Sequence, residues 1–130
     1  MNPDLAKRVA ASTSERCVIV CAYAADDISP EHAFLIRDTL NDLDTDGWWF
    51  ANPSTFIVAF RSSRNGAVRA SACQSGLARL SDDTPGLPRL GIGAAEGPVL
   101  CDIASGGHLD TPPIGNVVND AFHEARKNAS

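Results

Sequence analysis

The segment from residue 87 to residue 126 constrains the fold more than any other part of this sequence. It begins LPRLGIGAAEGPVL, and its apolar runs at 87–92 and 98–103 predict two strands joined by a glycine turn. After a polar loop, apolar residues recur at i, i+3, i+4, i+7, i+8 and i+11, which predicts a helix with one buried face. The residues of that face are Ile114, Val117, Val118, Ala121, Phe122 and Ala125.

The rest of the sequence alternates between strand and helix patterns. Ser29, Pro30 and Glu31 mark a helix start, because serine caps a first turn, proline fits its geometry and an acid favours its positive end. Two apolar runs on either side of 52–54 indicate a hairpin. The predicted elements are, in chain order, a strand at 17–24, a helix from 29 to about 41–46, strands at 48–51 and 55–60, a helix at 64–80, the strands at 87–92 and 98–103, and the helix at 114–125.

This order contains a βαββαβ core, which is the ferredoxin-like arrangement of an α/β (α+β) protein. In that arrangement an antiparallel sheet carries helices on one face. An extra strand and a C-terminal helix complete the prediction. We expect residues 1–14 to form a short helix or a lead-in and residues 15–130 to form a single domain, since 130 residues support one ordinary core.

Charge and hydropathy exclude some partners. The 11 basic and 16 acidic residues give a net charge of −5, and no run of Lys and Arg stands out, so we expect no nucleic-acid partner. The N-terminal residues lack the apolar core of a signal peptide, and no apolar run reaches the length of a membrane span. We therefore expect a cytoplasmic protein without a membrane partner.

The cysteines predict no disulfide framework. Cys17 and Cys21 lie on one predicted strand about 13 Å apart, which is too far for a bridge between them. Cys73 falls in a helical pattern and Cys101 in a strand, and no Cys-x-x-Cys spacing occurs. We interpret all four as small buried apolar residues in a reducing compartment.

Four stretches, taken in their order and spacing, resemble the class III nucleotidyl (adenylate/guanylate) cyclase domain. STFIVAF at 54–60 is similar to the strand after the family's Gly-Asp turn, and 67–80 is similar to the Ala-rich helix behind it. RLGIGAAEGPVL at 89–100 resembles the family's Gly-Ile strand, and IGNVVNDA at 114–121 resembles its Gly-x-x-Val-Asn-x-Ala helix start. The resemblance covers most of residues 17–126 and implies a site between two paired domains.

The resemblance also implies two divalent ions, Mg or Mn, held by two carboxylates on neighbouring strands. The second carboxylate belongs in the Gly-Asp turn, where this chain has Pro53 and Ser54. The first belongs at the end of the first strand, where strand length selects Tyr23 and the Asp-Ile dipeptide selects Asp27. At most one metal carboxylate therefore remains, and we expect no cofactor, with Mg or Mn bound only if a residual site functions.

The nucleotide-recognition positions implied by the resemblance are altered as well. Residues 48–52 contain no base-reading lysine, and Pro112 stands where a second base-reading side chain is expected. Asn119 fits the first member of the transition-state pair, but His123 stands in place of its arginine. An imidazole is a poor substitute for the guanidinium fork that binds phosphate.

These positions predict a catalytically degenerate domain that lacks the family's enzymatic activity and acts in regulation or protein interaction. We expect a homodimer or another protein partner, with residual nucleotide binding at most. Trp48, Trp49 and Phe50 are the predicted contact surface, because adjacent strand residues point to opposite faces and one indole then faces away from the core. Core packing of both rings is the alternative.

Two other functions stay open at this stage. One is a repurposed metal-dependent enzyme that uses Asp27, His108 and Asn119 on a nucleotide or another phosphorylated substrate. The other is a small-ligand-binding ferredoxin-like module. The loop that contains Asp102, His108 and Asp110 is interpreted as a polar loop, with a metal or catalytic role as its alternative.

Two further motifs are set aside. Residues 42–47 read DLDTDG, like the start of a Ca²⁺ loop, but Pro53 stands where the loop needs its bidentate Glu. We interpret this stretch as a solvated acidic turn. Residues 91–97 contain three glycines but precede a strand, whereas a dinucleotide fingerprint precedes a helix. We assign those glycines to a tight turn.

Overall fold

The computed structural model describes residues 13–52, 54–101, 107–109 and 112–129. Residues 1–12 of the predicted lead-in (1–14), together with Pro53, Asp102 and Asp110, lie outside these residues, and its last two residues belong to β1. The described elements are β1 (Thr13–Ala24), α1 (Pro30–Asp42), β2 (Gly47–Asn52), β3 (Thr55–Arg61), a 3-10 turn (Ser62–Arg64), α2 (Gly66–Asp83), β4 (Leu90–Cys101) and α3 (Asn116–Ala129).

The four strands form one antiparallel sheet in the order β2-β3-β1-β4. β1 lies in the middle, with β3 on one side and β4 on the other. This order and the βαββαβ succession confirm the predicted α+β class and its ferredoxin-like core. The hairpin between β2 and β3 is also confirmed, since Asn52 pairs with Thr55 across its tip.

Alternate residues of β1 face two different apolar clusters, as the period of a strand requires. Val18, Val20 and Ala22 pack with α1 and α2 on one face of the sheet. Cys17, Ile19 and Cys21 pack with α3 on the other face. The prediction of helices on one face therefore holds for the two core helices, and the C-terminal helix covers part of the opposite face.

Residues 90–101 form one continuous strand, so the glycine turn predicted between 87–92 and 98–103 does not form. Every residue of β4 pairs with β1, from Leu90 opposite Ala24 to Cys101 opposite Thr13. The glycines instead allow α3 to approach closely. A Cβ at Gly93 would lie 2.5 Å from the Ala121 carbonyl oxygen, and one at Gly91 would collide with the backbone of the last turn of α3.

The helix boundaries follow local signals in the sequence. Ser29 caps α1 by accepting a hydrogen bond from the backbone N–H of His32 at 3.2 Å, and Pro30 occupies the first turn, as predicted. α3 buries Val117, Ala121 and Ala125. Ile114 departs from the predicted buried face: it precedes the helix and is 63% exposed.

β1 and β4 extend beyond β3 as a two-stranded ribbon, formed by residues 13–16 and 98–101. β3 ends at Arg61, opposite Cys17, whereas the pairing of β1 with β4 continues for four more residues to Thr13. Leu100 and Ile114 exchange backbone hydrogen bonds of 2.8 and 2.9 Å on the outer edge of this ribbon. Within the described part of the chain, no helix is long and apolar enough to cross a membrane.

Candidate functional site

The end of β1 and the start of β3 bring two predicted site residues together. The Ala24 N–H donates to the Ser54 carbonyl oxygen at 2.8 Å, which fixes the two strand ends side by side. The Ser54 hydroxyl then donates to Oδ1 of Asp27 at 3.0 Å. The two positions that the family resemblance assigns to metal carboxylates are therefore in contact.

Tyr23, the other candidate for the first metal position, packs elsewhere. Its ring lies edge-on to the ring of Phe122 on α3, with 5.8 Å between the centroids. Tyr23 also belongs to the group of side chains beside the α3 cluster. Of the two candidates for the first metal position, Asp27 is therefore the one that forms a hydrogen bond with Ser54 of the β2–β3 turn.

The Ser54–Asp27 pair offers one carboxylate, which is exposed, and one neutral hydroxyl. Magnesium and manganese sites in proteins are built mainly from carboxylate oxygens. Among the residues that the structure describes, no group of three or more His, Cys, Asp or Glu side chains is arranged to hold a metal ion. The pair can donate and accept hydrogen bonds.

Asn119 and His123 are both exposed on α3, and Pro112 is exposed before it. Val117 lies against Gly97, which pairs with Cys17, so α3 begins near the end of β1 that lies away from Ser54. Ala121 lies against Gly93, which pairs with Cys21, so Asn119 lies about three strand residues, roughly 10 Å, from Ala24 and its bond to Ser54. Asn119 therefore does not join the Ser54–Asp27 pair within one chain.

The two tryptophans lie on opposite faces of β2, as the strand period predicts. Trp48 is buried, only 4% exposed, and its Nε1–H donates to the Asn41 side-chain oxygen at 3.1 Å. Trp49 is half-buried and stacks on His108 at 5.3 Å between ring centroids. Trp48 is thus part of this chain's own core, and Trp49 is the more accessible indole.

Phe50, the third residue of the predicted contact surface, is also half-buried. Its ring stacks on Phe56 at 5.3 Å, and the guanidinium of Arg37 lies 5.2 Å above it. An aromatic ring covered by an arginine keeps only part of its surface for a partner.

The trio proposed for a repurposed enzyme is not brought together by the fold. His108 lies beside Trp48 at the β2 edge of the sheet, where Gly107 and Leu109 bond to the Trp48 backbone. Asn119 lies on α3, which packs over β4 and β1. His108 lies outside β2, so the strand order places three to four strand spacings, roughly 14–19 Å, between these two residues.

The acidic turn at 42–47 forms an ion network that the sequence did not reveal. Asp46 is 3% exposed and accepts hydrogen bonds from the Arg61 backbone N–H at 2.7 Å, from Arg69 at 2.8 Å and from Arg64 at 3.1 Å. Asp44 is 82% exposed and pairs with Arg69 at 3.2 Å. The expectation of a solvated turn is therefore wrong for Asp46.

This network sets the ionisation of Asp46. Burial alone would raise the pKa of its carboxyl group, but hydrogen bonds from Arg69 and from the Arg61 backbone, with the charges of Arg69 and Arg64, hold that pKa below its ordinary value. The hydrogen bonds of Arg69 to Asp46 and Asp44, with the charges of those two carboxylates, raise the pKa of Arg69. Two arginines thus occupy the oxygens that a Ca²⁺ ion would need.

Three cysteines are free and buried, as the sequence predicts: Cys17, Cys21 and Cys73. Burial raises the pKa of Cys17 to about 11 and the pKa of Cys21 and of Cys73 to about 12. Their thiols stay protonated at neutral pH, so these residues are packing groups and not nucleophiles.

Comparison of the chain with known protein families, curated proteins and solved structures found no match. The resemblance to nucleotidyl cyclases therefore remains a prediction from the sequence stretches quoted above.

Proposed function

We propose that this protein is a catalytically degenerate nucleotidyl-cyclase-like domain that acts in the cytoplasm as a homodimeric regulatory or protein-interaction module. The observation that carries the proposal is the hydrogen bond of Ser54 to Asp27. A cyclase needs two metal ions to activate the ribose oxygen and neutralise the phosphate charge. The Ser54 hydroxyl is neutral, so the pair supplies only the negative charge of Asp27. That single charge is too little to hold two divalent ions.

The residues on the phosphate side support the same conclusion. Pro112 has no side-chain donor for a base, and His123 is exposed on α3 without a guanidinium fork. Asn119 and His123 can donate hydrogen bonds, but neither is a charged fork. A nucleotide that binds at these residues would therefore bind weakly and without turnover.

The ribbon supports a role in self-association. Residues 13–16 of β1 extend past the end of β3, so within the described chain no strand lies beside that edge. Ile114 bonds to Leu100 on the outer edge of the ribbon and exposes 63% of its surface. The open edge of β1 and the exposed Ile114 lie on opposite sides of the ribbon, so the ribbon offers a second copy both a strand edge and an apolar contact.

An activity assay tests the loss of catalysis. Purified protein incubated with ATP or GTP and Mn²⁺ should give no cyclic nucleotide above a protein-free control. The Asp27→Asn variant is the matched control, because it removes the one carboxylate of the pair. Turnover by the wild-type protein that disappears in Asp27→Asn would overturn the proposal.

A further inference from the structure

An open cleft of about 550 Å³ lies at the base of the ribbon, at the opposite end of β1 from the Ser54–Asp27 pair. Its lining residues come from β1 and from the end of β3 with the turn that follows: Glu15, Arg16, Arg61, Ser63 and Arg64. The volume is in the range that small-molecule ligands occupy. Because it lies at the opposite end of β1, the cleft is separate from the Ser54–Asp27 site.

Three arginines meet in this cleft, and each is paired with a carboxylate. Nε of Arg61 lies 2.9 Å from Glu15. Nη1 of Arg64 lies 3.1 Å from Asp46. Arg16 lies 3.8 Å from Glu96, which also accepts a hydrogen bond from Ser62 at 2.7 Å. These pairs restrict the side-chain conformations before a ligand arrives, which lowers the entropic cost of binding.

The pairs do not use all of the donors. A guanidinium group has five N–H donors, whereas the ion pairs of Arg16 and Arg64 each involve one nitrogen. The side chains of Arg16 and Arg64 are 64% and 61% exposed. Both arginines therefore keep water-facing donors, beside the exposed Ser63.

We propose that this cleft binds a small phosphate-bearing anion. The lining contains three arginines and one glutamate, in a chain whose net charge is −5. The planar guanidinium fork matches the oxygens of a phosphate group, and arginines on several sides suit an anion with oxygens on several sides. The proposal does not depend on the cyclase resemblance, since none of the described residues that the resemblance assigns lines the cleft.

Calorimetric titration tests the proposal with three probes: inorganic phosphate, pyrophosphate and ATP without metal. We expect saturable binding by at least one probe, weakened about tenfold by Arg16→Gln, because a hydrogen bond from a charged donor is lost. Arg79→Gln is the matched control, since Arg79 is exposed on α2 and outside the cleft. Arg16→Lys keeps the charge and should restore part of the affinity.

Arg16 is the better test position because its ion pair is exposed, whereas Arg64 contacts the buried Asp46 and its loss would also disturb folding. Preference for ATP over pyrophosphate would assign the ligand to the nucleotides, and equal binding would assign it to the free phosphates. Either result supports an anion site. Absence of saturable binding by all three probes, or equal affinity of wild type and Arg16→Gln, would overturn it.

Discussion

Asp46 shows how a single residue can have a role that its sequence neighbours hide. Within DLDTDG it is typical of a solvated turn or a Ca²⁺ loop. In the fold Asp46 is buried. It precedes β2 in the chain, whereas its partners Arg64 and Arg69 follow β3. Because nothing local links an acid at 46 to an arginine at 69, the pairing follows from the tertiary fold and could not be predicted from spacing.

Replacing Asp46 by Asn should lower the free energy of unfolding by about 3 kcal/mol, because Arg69, itself only 13% exposed, then lacks its buried counter-charge. Asp44→Asn is the control: Asp44 is 82% exposed, and its loss should cost less than about 1 kcal/mol. Urea denaturation at neutral pH measures both. Equal small losses in the two variants would contradict the buried network.

The stabilisation by Asp46 should also depend on pH. Because its folded-state pKa lies below the unfolded value of about 3.9, the unfolded chain binds a proton first as the pH falls. The contribution is therefore complete above that value and is lost as the pH falls through the folded-state pKa. The difference between the unfolding free energies of wild type and Asp46→Asn should be constant near neutral pH and should narrow as the pH is lowered towards 3.

At the scale of elements, β4 and α3 depend on each other. The glycines of β4 suggested a turn, since clustered glycines commonly mark one, yet a glycine inside a strand can also mark a close backbone contact. Whether the glycines form a turn or a close contact depends on where α3 packs. In the fold, Ala121 and Ala125 bring the α3 backbone against Gly93. The helix itself was predictable from its apolar period, but its docking site was not.

Gly93→Ala should therefore destabilise the protein by about 2 kcal/mol, since the new methyl group overlaps the α3 backbone. Gly97→Ala is the matched control on the same strand, because its Cβ would lie 3.4 Å from Val117, an ordinary contact. Thermal unfolding compares the two, and hydrogen exchange of the α3 amides locates the effect. Equal stability of both variants would show that α3 does not pack on β4 in this way.

For the whole molecule, the order of elements was enough to predict the ferredoxin-like core, because each strand and core helix carries its own local pattern. The contact of Ser54 with Asp27 was partly predictable. Asp27 follows the end of β1 and Ser54 precedes the start of β3, and these two ends meet when the strands pair. The separation of Asn119 from that pair was not, because it depends on the direction in which α3 crosses β4. The cleft arginines Arg16 and Arg61 are far apart in sequence and meet only through strand pairing.

For the whole molecule we propose that the chain associates as a homodimer through its ribbon. Sedimentation velocity at increasing protein concentration measures this most directly. We expect a wild-type species of twice the 13.7 kDa chain mass and conversion to a monomer in Ile114→Asp. The control Val68→Asp, at a residue that is 72% exposed on α2, should leave the dimer unchanged. A wild-type monomer throughout the micromolar range, or an Ile114→Asp variant that remains dimeric, would contradict it.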